Sequence, residues 1–375
     1  MILLSRIKDA LVSRAPPIFS ILVISEVIIY TFVWSNIAYW KFQSLHSYVF
    51  DLGVFLESGW LISHGNFTIQ SVFYDFLYQG IKFIVFPLSL SGNYQLVLAF
   101  QSFMIGLSGF FIFLIARKRL ESELASFLIA SSYFIYFPMA GVNWFDFHYQ
   151  MFFVPFFLLA YYFSLKEKTV LSSLLFFLSG TVRYPYAIFP ALFFFTEVIT
   201  LLYYKYKRDV RFQLRKFNII LFFLFISIVY IALGYILLGG QTYLLNDIGA
   251  NTHIASQLTA QGHPFFFNLD NKIFTILLLL APVVFLPLFA PKWVPFLLFP
   301  FFLIFYTNDP FFVFPELFKY QYGSGIIPFI FIGTIDSIKA MTHSLEKDPP
   351  IEFKKILQIH HGKAVKISVL DQNTG

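Results

Sequence analysis

The sequence of 375 residues is 58% hydrophobic and 12% charged, whereas soluble globular domains usually carry about 25% charged residues. This composition excludes a chain whose main solvent is water, and it favours an integral membrane protein. The net charge of +6 does not indicate nucleic-acid binding, because the basic residues form short clusters between apolar segments. The absence of cysteine excludes disulfides, thiolate catalysis and zinc–thiolate sites.

Apolar segments follow one another along almost the whole chain, and they predict about ten transmembrane helices. The predicted helices cover residues 17–40, 94–116, 123–140, 150–165, 169–182, 185–204, 217–239, 273–290, 293–306 and 323–340. The first is expected to be retained, because it lacks the small-residue cleavage site of a secretory signal. Residues 1–340 are therefore predicted to form one all-α transmembrane bundle, and residues 341–375 a short cytoplasmic tail.

The topology depends on the apolar segment Ser71–Leu90. If this segment crossed the membrane, the basic cluster at residues 117–119 would lie on the side opposite the basic N-terminus, against the positive-inside tendency. The segment also contains Asp75, Gln79 and Lys82, which favour an outer surface helix or a re-entrant helix. If Ser71–Leu90 does not cross the membrane, 21 of the 26 lysines and arginines lie on the cytoplasmic side and five on the outer side. Both termini are therefore predicted to be cytoplasmic, in a multi-pass protein of the cell membrane.

Candidate ligands for a metal occur in the first two outer segments. In the first, Val49–Ser63 has helical spacing of apolar residues, which predicts an amphipathic surface helix with Asp51 on its polar side. The second, Asn143–His148, is very short and holds Asp146 and His148. Two carboxylates and an imidazole could bind a hard divalent cation. The alternative is that Asp146 caps the fourth helix and that His148 lies at the membrane interface.

A candidate phosphate site occurs at Arg183, the one basic residue at an outer break between two short predicted helices. A guanidinium can hold a phosphate through two parallel hydrogen bonds. The alternative is that this side chain extends to lipid headgroups. Just before the last predicted helix stand further polar and aromatic residues, which are either ligands or members of an interfacial aromatic belt: Lys319, Tyr320, Gln321 and Tyr322.

Two carboxylates, Glu26 and Glu197, lie within predicted transmembrane helices, where an unpartnered charge is costly. A proton path is one interpretation, although Glu197 is near a cytoplasmic end and the sequence shows no evident partner for Glu26. The sequence has no Walker loop, no dinucleotide fingerprint, no G-x-S-x-G and no H-E-x-x-H. The motifs of soluble enzymes therefore do not identify an activity.

Three segments carry a resemblance to a known family. They are Phe50–Phe55 with Trp60 and His64–Gly65, then Asn143–His148, then Tyr320–Tyr322. In this order and spacing they resemble a family of predicted archaeal and bacterial membrane proteins of unknown function, placed in the GT-C clan of membrane glycosyltransferases. The resemblance extends over roughly residues 45–340. It implies a GT-C-like fold with surface helices in a long first outer loop.

By this resemblance, the protein would transfer a sugar from a polyprenyl-phosphate carrier to an acceptor outside the cytoplasm. The catalytic residue would be Asp51, as a base or metal ligand, with Asp146 and His148 next. Mg²⁺ or Mn²⁺ would be the cofactor, and membrane lipids and the carrier would be the partners. The group predicted to bind substrate comprises Arg183, Lys319, Tyr320, Gln321, Tyr322, Glu57 and Asp75.

The chain also departs from the pattern of the family it resembles. Leu56 stands where the family often has a second acid, Tyr149–Gln150 replace Pro-Glu, and residues 183–185 replace Lys-Glu-Asp. These losses motivate a second hypothesis, a non-enzymatic membrane subunit or lipid-binding protein that kept the fold. A transporter is a third hypothesis, although inverted repeats and a paired intramembrane charge path are not apparent in the sequence.

Overall fold

A computed structural model describes residues 18–47, 49–66, 68–238, 268–306, 316–319 and 321–347; within these ranges, the side chains of residues 49–51, 306, 316, 321 and 345–347 are not described. The structure is 85% helical, and no strand occurs in the described ranges. The first seven helices are α1 Ile18–Gln43, α2 Val49–Ser63, α3 Ile69–Gln79, α4 Lys82–Val85, α5 Tyr94–Leu120, α6 Glu123–Phe134 and α7 Phe137–Trp144. The next seven are α8 Phe153–Leu165, α9 Thr169–Gly180, α10 Ile188–Tyr206, α11 Leu214–Leu237, α12 Leu269–Leu280, α13 Val294–Tyr306 and α14 Ile327–Lys347.

Five helical segments of the described chain are long and apolar enough to cross a membrane. They lie at Ile18–Gln43, Tyr94–Leu120, Tyr184–Tyr206, Leu214–Leu237 and Tyr322–Ser344. A sixth is possible, because α6 and α7 pass the same test together although they are bent by 48°. The all-α prediction is therefore confirmed, whereas the predicted count of about ten spans is not.

The other predicted spans coincide with helices too short to cross a bilayer alone. Helices α8, α9, α12 and α13 have only 13, 12, 12 and 13 residues, whereas a span needs about 20. Proline contributes to the interruptions, because it lacks the backbone N–H that continues a helix. Pro138 is the second residue of α7, Pro185 lies in the 3₁₀ turn before α10, and Pro300 lies inside α13.

Helices α1 and α5 pack antiparallel, and contacts at both ends fix their register. At one end the rings of Phe42 and Tyr94 stack with centroids 4.0 Å apart. At the other end Arg117 donates a hydrogen bond to Ser20 over 3.5 Å. Between these ends Gly106 allows close approach, because a Cβ there would lie 3.4 Å from the carbonyl oxygen of Val27.

Most of the clustered basic residues lie at one end of the bundle, which is called the basic end and is defined by Arg117–Arg119 and Lys292. Arg119 forms an ion pair of 2.6 Å with Asp336 of α14, and the other oxygen of Asp336 accepts a hydrogen bond of 2.8 Å from the Trp293 indole. Lys292 pairs with Glu197 of α10 over 3.0 Å. The ends of α5, α10 and α14 therefore meet at the basic end, beside the start of α1.

The two intramembrane carboxylates have partners in this bundle. The Ser131 hydroxyl of α6 donates a hydrogen bond of 2.7 Å to Glu26, and Glu197 is paired with Lys292. The sequence did not show the partner of Glu26, because Ser131 is 105 residues away in the chain. Both carboxylates therefore have structural contacts that explain their positions without a proton path.

The segment Ser71–Leu90 does not form one continuous helix. It is divided among α3, the four-residue α4 and a 3₁₀ helix at Phe86–Ser91. The segment packs near the end of the bundle opposite the basic end, where the Ile81 amide donates to the Thr181 carbonyl over 3.2 Å. Ser71–Leu90 therefore does not form one helix long enough to cross a membrane, and its place outside the hydrocarbon core stays a prediction.

Helix α2 has the bounds that its apolar spacing predicts, and it packs on the 3₁₀ helix Phe86–Ser91. Leu52 and Phe55 are each 1% exposed and form its buried face. At Gly59 the two segments cross so closely that an added Cβ would lie 2.6 Å from the backbone carbonyl carbon of Ser89. Glycine is therefore required at this crossing for steric reasons.

The packing at Gly59 gives a stability prediction. Gly59→Ala should lower the free energy of unfolding by about 1–3 kcal/mol, because the added methyl group overlaps the Ser89 backbone. Gly53→Ala in the same helix is the matched control, since a Cβ there meets nothing within 4 Å and alanine favours helix. Thermal unfolding in detergent measures both. An equal effect of the two substitutions would contradict the described crossing.

The basic end gives a topology prediction. Cysteines placed at Lys118 and Lys207 should not react with an impermeant maleimide in intact cells, because clustered basic residues stay cytoplasmic. Cysteine at the exposed Ser91 should react, and the chain has no native cysteine to interfere. Labelling of Lys118 or Lys207 variants in intact cells, with the Ser91 variant unlabelled, would reverse the predicted orientation.

Candidate functional site

The loop after α7 is held by two neighbouring side chains of α5. The Gln101 side chain donates a hydrogen bond of 3.1 Å to the Phe145 carbonyl and accepts one of 3.3 Å from the His148 amide. Ser102 donates a hydrogen bond of 3.1 Å to the side-chain oxygen of Asn143. Backbone groups of an extended loop need such partners when they are buried. The loop Asn143–His148 is therefore anchored on both sides of Asp146.

Asp146 forms a buried ion pair with Lys41 at the end of α1. The Lys41 ammonium lies 3.2 Å from Oδ1 of Asp146, and the two side chains are 5% and 3% exposed. Lys41 also donates a hydrogen bond of 2.8 Å to the Trp144 carbonyl and lies 5.3 Å from the centre of the Trp144 ring. The loop is thereby tied to α1 as well as to α5.

His148 is partly buried and packs edge-on against Phe145, with ring centroids 4.8 Å apart. Burial and the positive charge of Arg183 lower the pKa of His148 to about 3. The imidazole is therefore neutral at physiological pH. The electrostatic effect also shows that Arg183 lies near this loop, although 35 residues separate the two positions in the sequence.

Arg183 lies at the predicted break between α9 and α10. Its guanidinium donates a hydrogen bond of 3.2 Å to the Tyr78 hydroxyl and lies 5.5 Å from the centre of the Tyr78 ring. The break is tight, because a Cβ at Gly180 would lie 2.8 Å from the Cα of Ala187. Tyr78 therefore fixes the direction of the Arg183 side chain, and it was not among the residues predicted from the sequence.

Asp75 is also paired, with the nearby Lys82. The two charged groups are 2.7 Å apart, and their side chains are 45% and 15% exposed. This ion pair joins α3 to α4 within the broken segment. A pair of this kind is partly solvated and contributes less than a buried one.

The position of Asp51 follows from the packing of α2, although its side chain lies outside the described part of the structure. The Phe55 ring lies 4.3 Å from the Phe147 ring and 5.7 Å from the Tyr149 ring. Positions 51 and 55 are one turn apart and share one face of the helix. The backbone of α2 therefore places position 51 one turn before Phe55, which contacts the loop containing Asp146.

The segment before α14 reaches the same end of the bundle. Gly141 of α7 contacts the backbone of Phe318, and the Tyr186 hydroxyl lies 3.2 Å from the Ser324 hydroxyl. Lys319 and Glu57 are exposed, and Tyr322 is partly buried. Tyr320 and the side chain of Gln321 lie outside the described residues.

The described side chains bear directly on the predicted metal site. Among them there is no group of three His, Asp or Glu residues that could hold a metal ion. Lys41 already binds one oxygen of Asp146, and a dication at that carboxylate would meet this ammonium. The described donors therefore do not fit a divalent ion in this arrangement. The full set with Asp51 stays a prediction, because that side chain is not described.

Sequence reasoning missed Lys41, Gln101 and Tyr78 as members of this site. Gln101 and Tyr78 have no local signal, because their partners are more than 40 residues away. Lys41 does have a signal in the sequence, because only five basic residues lie on the predicted outer side and Lys41 is among them. The positive-inside tendency makes such residues exceptional, which is the reasoning that identified Arg183.

No curated protein and no solved structure matches the chain. A family model described as "Predicted membrane protein (DUF2079)" matches residues 41–360. The match begins at Lys41 and includes the loop with Asp146, the Arg183 turn and α14. The chain therefore belongs to this family of predicted membrane proteins.

Proposed function

We propose that the protein is a membrane glycosyltransferase with a GT-C-like fold, which transfers a sugar from a polyprenyl-phosphate carrier to an acceptor outside the cytoplasm. The observation that supports this best is the gathering of α2, the Asn143–His148 loop and the Arg183 turn at one end of the bundle. This end, which is called the site end, lies opposite the basic end. In the predicted topology it faces outward, where carrier lipid and aqueous acceptor meet.

In this proposal Arg183 binds the carrier phosphate. A guanidinium has five N–H donors in a planar fork, and contact with Tyr78 orients that plane. Lys319 is exposed in the segment that contacts α7, and it adds a second positive charge. Other predicted contacts to the sugar and the carrier stay part of the proposal: Glu57, Asp75, Tyr320, Gln321 and Tyr322.

The proposed catalytic base is Asp51. Asp146 is bound to Lys41 and Asp75 to Lys82, so neither of these carboxylates is placed to take a proton without breaking an ion pair. In the reaction, Asp51 takes the proton of the acceptor hydroxyl, whose oxygen attacks the anomeric carbon. The bond from that carbon to the carrier phosphate oxygen breaks, and the phosphate leaves with the bonding electrons. His148 is neutral, so it can donate or accept a hydrogen bond beside this step.

A second candidate function is a non-enzymatic, lipid-binding membrane subunit. The ion pairs of Asp146 and Asp75 favour it, because they give both acids a structural role. In this case Arg183 still binds a lipid phosphate, and no sugar is transferred. The two candidates therefore share the phosphate site and differ at Asp51.

Substitution of Arg183 tests the phosphate site. Arg183→Lys should weaken binding of polyprenyl phosphate to the purified protein about tenfold or more, because an ammonium keeps the charge and loses the planar fork. Arg215→Lys is the control, since Arg215 is exposed at the basic end. Thermal-shift titration of the lipid in detergent measures the affinity. Equal affinity for wild type, Arg183→Lys and Arg183→Ala would show that Arg183 does not bind the phosphate.

Substitution of Asp51 tests the enzyme. Asp51→Asn is nearly isosteric and should abolish sugar transfer with little change in thermal stability, because an amide cannot act as a base. Asp270→Asn, an exposed acid of α12, should leave transfer unchanged. The readout is glycan occupancy on extracellular acceptors in cells with wild type, each variant or a deletion. If the deletion changes no glycan and no lipid-linked sugar pool, the non-enzymatic subunit becomes the better proposal.

A further inference from the structure

The Lys41 ammonium is held by the kinds of atoms that usually hold a hard metal cation. Its nitrogen binds one carboxylate oxygen of Asp146 at 3.2 Å and the backbone carbonyl oxygen of Trp144 at 2.8 Å. Carboxylate and carbonyl oxygens are the ligands that Mg²⁺, Mn²⁺ and Ca²⁺ prefer. The lysine and the aspartate are 7% and 3% exposed, so this arrangement is nearly sealed from water.

The surroundings of Asp146 also determine which cation it can bind. Oδ2 of Asp146 is buried and has no hydrogen-bond partner among the described groups. The cation that contacts Asp146 is Lys41, and it is covalently part of α1. A free dication competing for this carboxylate would have to displace the buried ammonium from Asp146.

We propose that the Lys41 ammonium takes the place of a divalent metal at Asp146, so that the site end works with a built-in cation. Lys41 is then a positioning residue, because it fixes Trp144 and Asp146 and thereby the loop that carries His148. Gln101 fixes the same loop from α5. This inference goes beyond the proposed function, since it holds whether or not the protein transfers a sugar.

The test compares Lys41→Met, Asp146→Asn and the double variant Lys41→Met/Asp146→Asn in purified protein. Each single variant removes one member of the buried ion pair and should lower the melting temperature by about 6 °C or more. The double variant removes both charges and should recover part of that loss. Lys82→Met is the matched control, because its partner Asp75 is 45% exposed, and it should shift the melting temperature much less.

Metal binding is measured with Mn²⁺ alone, by electron paramagnetic resonance and by thermal shift. Asp146→Asn should not reduce the Mn²⁺ binding of the protein. Neither EDTA nor Mn²⁺ should change the melting temperature of wild type. Stabilisation of wild type by Mn²⁺ that disappears in Asp146→Asn would overturn the proposal. Strictly additive losses in the double variant would also overturn it.

These measurements are independent of the proposed glycosyl transfer. The Mn²⁺ experiment needs only wild type and Asp146→Asn, so it decides the question even if Lys41→Met does not fold. If wild type is insensitive to metal and deletion of the protein changes no glycan and no lipid-linked sugar pool, the built-in cation stands and only the proposed function is lost. If Asp146 binds Mn²⁺ in a protein that transfers sugar, the built-in cation is lost and the proposed function stands.

Discussion

In a chain with 12% charged residues, each charged group within the bundle needs a partner inside the protein, since hydrocarbon cannot solvate it. This constraint determines how the helices meet. Arg119 and Trp293 both bind Asp336, which joins α5, the start of α13 and α14 at the basic end. Lys41 and Asp146 join α1 to the loop after α7 at the site end. Each end of the bundle thus has a carboxylate with a cationic partner, partly buried for Asp336 and buried for Asp146.

Between these ends the core is apolar, and aromatic rings make many of its contacts. The Phe329 ring of α14 lies 4.9 Å from Phe157, 5.0 Å from Phe189 and 5.0 Å from Phe296, so one side chain contacts α8, α10 and α13. Apolar contacts of this kind have little direction, and lipid offers nearly the same contacts. The polar links at the two ends, and close approaches such as Gly59 on Ser89, therefore supply the specificity that the apolar core lacks.

The sequence predicts the local features of this fold better than the long-range ones. The bounds of α2, the break at Arg183 and the loop Asn143–His148 all follow from short patterns of apolar residues, glycine and proline. The number of spans does not follow, because hydropathy measures apolar content and not helix length. The segments of α8, α9 and α13 are apolar, yet each helix has only 12 or 13 residues. Partners such as Lys41 and Asp146, 105 residues apart, are beyond any local pattern.

The charges at the site end bear on what it can bind. Asp146 with Lys41 and Asp75 with Lys82 form two neutral pairs, so these acids repel an anion less than isolated carboxylates would. Arg183 contacts the phenol ring of Tyr78, which orients the guanidinium. The pairing of these acids supports the proposal of a lipid phosphate ligand over that of a metal cation. Both candidate functions require such a phosphate site, and they separate only at Asp51, the proposed base.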